Sequence, residues 1–319
     1  MEKVVNIISM DTVQAEEIKW LWKPYIPFGK LTIIQGDPGE GKTTFALQLA
    51  ALLSLGKGFG ENKNIGVSEP VNVIYQTAED GLADTVKPRL ILAGADCSKI
   101  KVIDDSEKSL SMDDERLELA INATGARVLI LDPLQAYLGD KVDMNRANEA
   151  REMTKKLGAI AARTGCAVIL IGHMNKGSGA KAAYRGIGSI DFFAIARSVL
   201  LVARVPDDST IRAVAQIKSN LALEGDTMAF RLAENGFTWI GEYDISTDEL
   251  LAGYSNSDKH KSAEDFLKKI LSNGQTVPAS SIFSQAKAIG VSKRTIENVK
   301  QELGIKSIKD GASWFWKME

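Results

Sequence analysis

Gly36-Asp37-Pro38-Gly39-Glu40-Gly41-Lys42-Thr43 matches the pattern G-x-x-x-x-G-K-[ST] at every fixed position. Glycines let the backbone wrap closely enough for several N–H groups to converge on one phosphate. The flanks suit this use. LTIIQ, from Leu31, reads as the preceding buried strand, and the apolar stretch from Thr44 to Leu55 reads as a helix stopping at Gly56. That helix aims the positive end of its dipole at the same anion. The pattern predicts an ATP site built from Gly36, Asp37, Pro38, Gly39, Glu40, Gly41, Lys42, Thr43 and Thr44. Lys42 reaches the β- and γ-phosphates, and Thr43 offers its hydroxyl to Mg2+. ATP and Mg2+ are therefore the expected cofactors.

Outward from this loop the chain alternates apolar runs with helical stretches. After LTIIQ come VNVIYQT from Val71, IKVID from Ile100, RVLILD from Arg127 and AVILIG from Ala167. Near-continuous apolar runs are expected for strands of a parallel sheet buried on both faces. The intervening lengths suit crossover helices, which makes the fold class α/β. Beyond Gly172 the gaps shorten. SVLLVAR, IRAVAQIK, TMAFRL and FTWIG read as antiparallel strands that extend the sheet. The expected divisions are a leader at 1–30, an ATPase domain at 31–252, a linker at 253–261 and a C-terminal domain at 262–319.

Two acids complete the phosphate chemistry. Asp132 ends the buried run RVLILD, where an ionised carboxylate is costly unless a cation pairs with it. Beside a phosphate loop that cation is Mg2+, so Asp132 and Thr43 form the expected metal site. A cap ahead of Pro133 is the plainer alternative. Glu79, just past VNVIYQT, is placed to polarise an attacking water, with Asp80 as its rival.

Composition bounds what else the chain does. It has 319 residues, 45% hydrophobic and 25% charged, as in a folded protein. From Lys259 to Glu319, 11 Lys+Arg face 6 Asp+Glu; the remainder carries 28 bases and 35 acids. A basic tail on an acidic body points to a module with its own partner. The two cysteines, Cys97 and Cys166, give no metal spacing or disulfide framework and suit a cytoplasmic setting. No apolar run is long enough to span a bilayer, and the N-terminus lacks a signal-peptide core.

The ordered set GDPGEGKT, VIYQTAED, VLILDPLQ, TGCAVILIGHMNKG, AYRGIGSI and the later IKSN resembles the RecA/KaiC-type ATPases. Within them it most resembles the RepA-type hexameric replicative helicases of plasmids and phages, as does the leader WLWKPYIPFGK. The resemblance covers roughly residues 18–240. It implies a RecA-like core, a homo-oligomeric ring with a hexamer favoured, and single-stranded DNA in the channel. It makes His173 a γ-phosphate sensor, with a structural histidine as the alternative. It offers Arg185 as an arginine finger entering a neighbouring subunit, with Arg197, Arg204 and Lys218 as rivals. Lys176 and Lys181, in the Gly- and Ser-rich stretch Met174–Tyr184, suit contacts to nucleic-acid phosphates, or else mark a plain surface loop.

Residues 262–319 read as three helices and a strand pair, a winged helix-turn-helix. On the third helix Ile296, Val299 and Leu303 form the buried stripe, and Arg294, Asn298 and Gln301 point the opposite way. These three suit base edges of duplex DNA, and Lys293 and Lys300 suit phosphates. A protein-contact role is the alternative. Trp314 and Trp316 are expected to pack the wing together. Three functions follow: a ring helicase or translocase; a non-translocating DNA-bound ATPase serving as loader, regulator or recombination mediator; and, least supported, a small-molecule kinase.

Overall fold

Apolar runs become strands here wherever helices can cover both of their faces. The computed structural model describes residues 7–59, 67–138, 147–173, 190–205, 208–234, 236–252, 257–272, 275–289, 291, 293–310 and 313–318. The chain opens with the hairpin β1 (Trp20–Trp22) and β2 (Ile26–Pro27), then β3 (Leu31–Gly36) and α1 (Lys42–Ser54). Next come β4 (Val73–Thr77), α2 (Lys87–Leu92), β5 (Ile100–Lys101), α3 (Glu115–Thr124) and β6 (Val128–Asp132). They are followed by α4 (Ala147–Thr164), β7 (Ala167–His173), α5 (Ile190–Ile195) and β8 (Ser198–Val205). The strands β9 (Asp208–Ser219), β10 (Met228–Ala233) and β11 (Gly236–Glu242) and the helix α6 (Thr247–Ala252) complete this part.

Among the described residues nine strands form one sheet in the order β11-β10-β9-β8-β3-β7-β6-β4-β5. The six from β8 to β5 run parallel, and β9, β10 and β11 are antiparallel. This is the expected α/β core, a mainly parallel sheet with an antiparallel extension. SVLLVAR departs from its antiparallel expectation. Its strand β8 pairs parallel with β3, Thr32 opposite Ser198 and Gln35 opposite Leu201. The crossover through α5 returns the chain in the direction of β7, so antiparallel pairing starts only at β9. IKVID yields only the two-residue edge strand Ile100–Lys101. The stretch from Leu82, which carries no recognisable motif, forms a π-helical turn (Leu82–Val86) running into α2.

One face of the sheet packs Ile34, Ile130, Ile169 and Val202 against α1 and the β1–β2 hairpin. The other packs Ile33, Leu129, Leu131 and Val168 against α3, α4 and α5. Alternate residues of β3 thus serve both layers. The leader joins this core from Trp20 onward. Trp22 lies 4.2 Å from Tyr25 and 5.4 Å from Phe59 by ring centroids, and Phe59 stacks on Trp239 of β11 at 4.4 Å. Each such ring removed from water contributes roughly 2–3 kcal/mol, enough to hold the hairpin on α1.

Toward the C-terminus lie α7 (Ser257–Ile270), β12 (Val277–Pro278), α8 (Ala279–Ala288), α9 (Lys293–Glu302), β13 (Lys306–Asp310) and β14 (Ser313–Lys317). The three strands form a separate sheet ordered β12-β14-β13. Their core holds Leu267, Ile282, Ile296, Val299 and Trp316. α7 begins at Ser257, within the stretch read as linker. The two tryptophans part company: Trp316 is 4% exposed and Trp314 53%. Among the described residues no helix is long and apolar enough to cross a membrane.

Candidate nucleotide-binding and catalytic site

The phosphate loop leaves the sheet at the carboxyl end of β3, between β7 and β8. Gly36 is demanded by space: a Cβ there would lie 2.1 Å from the carbonyl oxygen of Val202 in β8. Gly41, at φ +88°, caps α1 in a left-handed conformation that L side chains rarely adopt. Lys42 opens α1 and is 3% exposed. Its ammonium donates to the carbonyls of Gly36 (2.9 Å) and Asp37 (2.8 Å). Burial pulls its pKa down, and the carboxylates of Asp132, Glu40, Asp37 and Glu79 oppose that pull.

Asp132 stands opposite Thr77 at the ends of β6 and β4. One of its oxygens, Oδ2, accepts from the Thr43 hydroxyl at 2.8 Å and from the Tyr75 hydroxyl at 2.8 Å. Burial raises the Asp132 pKa above the usual carboxylate range, against the lowering effect of these two hydrogen bonds and of Lys42. Tyr75 is fully buried, and burial followed by the Asp132 charge keeps its hydroxyl protonated. Sequence reasoning missed Tyr75. Its signal was a polar-tipped ring in an otherwise aliphatic strand, and a buried tyrosine hydroxyl needs a partner.

Glu79 and Asp80 separate clearly. The Asp80 carboxylate pairs with Arg89 at 3.0 Å, and the Asp80 N–H donates to the Thr77 hydroxyl at 3.3 Å. Glu79 is exposed, acts on the Lys42 ammonium, and makes no hydrogen bond among the described residues. His173 ends β7 directly opposite Gly36, its Nδ1 buried and without a partner among the described residues. Arg185, Lys176, Lys181 and the whole of Met174–Tyr184 lie outside the described residues.

The rivals of Arg185 are placed. The ammonium of Lys218 caps α5, donating to Phe193 O (2.6 Å) and Ala194 O (2.9 Å). Arg197 precedes β8 and donates its N–H to Leu31 O, at the end of β3 away from the loop. Arg204 instead lies on its own phosphate loop, its backbone N–H donating to Glu40 Oε2 at 2.6 Å. A cavity of about 460 Å³ opens beside Thr44, walled by Gln48, Arg89, Leu92, Leu232 and Phe237. It joins α1, α2 and the β10–β11 turn, which no local pattern in the sequence brings together.

The donor set fits Mg2+. A hydroxyl and a buried carboxylate are hard oxygen ligands, and few of them suffice because Mg2+ keeps waters and substrate phosphates. Among the described residues no group of three or more His, Cys, Asp or Glu could hold a metal ion. The DNA-contact candidates diverge. Lys293 and Gln301 are exposed, whereas Lys300 turns onto the wing, bonding Ser307 Oγ at 2.5 Å and lying 4.7 Å over the Trp316 ring. The side chains of Arg294 and Asn298 lie outside the described residues.

Comparison with known proteins returns a consistent family. A family model described as an AAA domain matches residues 4–179, more than half of the chain. DNA repair protein RadA of Halalkalibacterium halodurans is 28% identical over 169 residues, covering 52% of this chain and 32% of that protein. DNA repair protein RadA of Bacillus subtilis is 26% identical over 235 residues, covering 72% of this chain and 45% of that protein. The chain thus spans less than half the length of these curated relatives. Among solved structures, a KaiC-like protein of Pyrococcus horikoshii OT3 has a TM-score of 0.49 at 20% identity, over 69% of this chain and 93% of that one. The matched segment carries the phosphate loop, Tyr75, Asp132 and His173, and on that match the chain belongs to the AAA domain family, as an ATP-hydrolysing P-loop enzyme.

Proposed function

We propose that this chain is a Mg2+-dependent ATPase acting on DNA, a RepA-type ring helicase or translocase in the replication of a mobile element. The observation that carries the ATPase chemistry is the Thr43 hydroxyl 2.8 Å from the Asp132 carboxylate, beside the buried ammonium of Lys42. Residues 36–44 hold the triphosphate, and Lys42 exchanges its two carbonyl partners for phosphate oxygens. Thr43 and Asp132 hold Mg2+, which supplies charge neutralisation at the phosphates. Glu79 takes a proton from the water that attacks the γ-phosphorus, as the bond to the ADP oxygen breaks. His173 reads the γ-phosphate; its buried Nδ1 has no hydrogen-bond partner among the described residues. The cavity beside Thr44 takes the nucleoside.

DNA as partner is supported by the DNA repair relatives and by the basic tail. In this proposal residues 31–252 form the ATPase domain, with the leader docked on it, and residues 262–319 a winged helix. The chain works in the cytoplasm as a homo-oligomeric ring of six copies, a number that native mass checks. Arg185 acts in trans, Lys176 and Lys181 line the channel, and Lys293, Arg294, Asn298 and Gln301 meet duplex DNA. The names of the relatives favour a second reading, a non-translocating DNA-bound switch in repair or recombination.

One set of assays decides between them. ATP hydrolysis is measured with and without single-stranded DNA, beside strand displacement and native mass, for wild type and Lys42→Ala. Hydrolysis stimulated by DNA with displacement supports the motor. Hydrolysis without displacement supports the switch. Absence of Lys42-dependent phosphate release removes both.

A further inference from the structure

The phosphate loop carries two carboxylates of its own, Asp37 and Glu40, in a cradle whose task is to attract an anion. Glu40 is not left bare. Its Oε2 accepts the backbone N–H of Arg204 at 2.6 Å, and its Oε1 lies 3.3 Å from the Arg204 guanidinium Nε. The same guanidinium donates through Nη2 to the Gly39 carbonyl at 3.1 Å. The sheet arranges this contact. β8 lies parallel beside β3 with Leu201 opposite Gln35, so Arg204, three residues further on, overhangs the loop.

Resting on the ATPase proposal above, the geometry points to Arg204 as a positioning residue in cis. It neutralises Glu40 and pins the outer turn of the phosphate loop, so that the loop admits a triphosphate. Arg204 is thereby committed to its own subunit's site and is not the finger offered to a neighbour. A carboxylate near bound phosphates repels them in proportion to their charge, and more strongly in a partly buried site than in water.

The test uses the full chain and competition of MgATP and MgADP against a fluorescent nucleotide. Arg204→Met weakens MgATP on the order of tenfold, and MgADP less, because fewer phosphate charges are repelled. Arg204→Lys keeps most of the affinity. Adding Glu40→Gln to Arg204→Met restores most of the loss, since the carboxylate that lost its guanidinium is gone, while the backbone N–H of residue 204 stays on the side chain in both variants. A purely mechanical brace gives the opposite: a double variant as weak as the single, and equal losses for both nucleotides. That pattern overturns the inference. If Arg204→Met does not fold, recovery of folding and MgATP affinity in the double variant supports it, and failure of both overturns it. Wild-type chain that binds no MgATP removes the ATPase proposal itself, whereas normal wild-type binding with the overturning pattern removes only the role of Arg204.

Discussion

Gly36→Ala adds one methyl group, and the structure says where it goes. The new Cβ lands 2.1 Å from Val202 O and 3.2 Å from Val202 C. An ordinary carbon–oxygen contact needs about 3.3 Å, so roughly 1.2 Å must be found. The obstacle is backbone and cannot rotate away. β8 must retreat, or Gly36 must move toward Lys42, whose Cδ stands 3.6 Å from the new methyl. Overpacking of this kind costs about 1–3 kcal/mol, and a backbone obstacle places it near ~3 kcal/mol. That lowers the melting temperature of the core by roughly 6–12 °C. A loop displaced by about 1 Å loses on the order of 10²-fold in turnover. Differential scanning fluorimetry and phosphate release measure the two effects. A variant melting within about 2 °C of wild type and turning over at half its rate or better would refute the close approach of β3 and β8.

Three further outcomes are expected. Asp132→Asn abolishes Mg2+-dependent hydrolysis yet raises the melting temperature of the nucleotide-free protein at neutral pH. The folded carboxyl has a raised pKa, so its stabilising contribution is present only at acid pH and is lost as pH rises through the folded value. The advantage of the variant therefore shrinks on acidification, and a melting series against pH that shows it constant would contradict the buried charge. Glu79→Gln lowers hydrolysis by about 10²–10⁴-fold with MgATP affinity kept, while Asp80→Asn, which frees Arg89, changes turnover far less; single-turnover rates separate them. Trp316→Ala costs the C-terminal core about 3–5 kcal/mol and leaves DNA-independent ATPase unchanged, as followed by limited proteolysis beside phosphate release.

Much of the site was written locally. The eight residues from Gly36 to Thr43 announce an anion cradle because their chemistry lies in consecutive amides and a helix start. Asp132 announced itself as a charge at the tip of an apolar run, and β3, β4, β6 and β7 as near-continuous apolar runs set between helical stretches. Other features hang on partners far away in the chain. Tyr75 meets Asp132 across 57 residues, Thr43 meets it across 89, and Arg204 meets Glu40 across 164. The direction of β8, the seating of the leader rings on Trp239, the inward turn of Lys300 and the cavity beside Thr44 belong with these. Spacing along a chain reports which faces are apolar, but strand order and register choose which distant side chain stands opposite, and that choice belongs to packing.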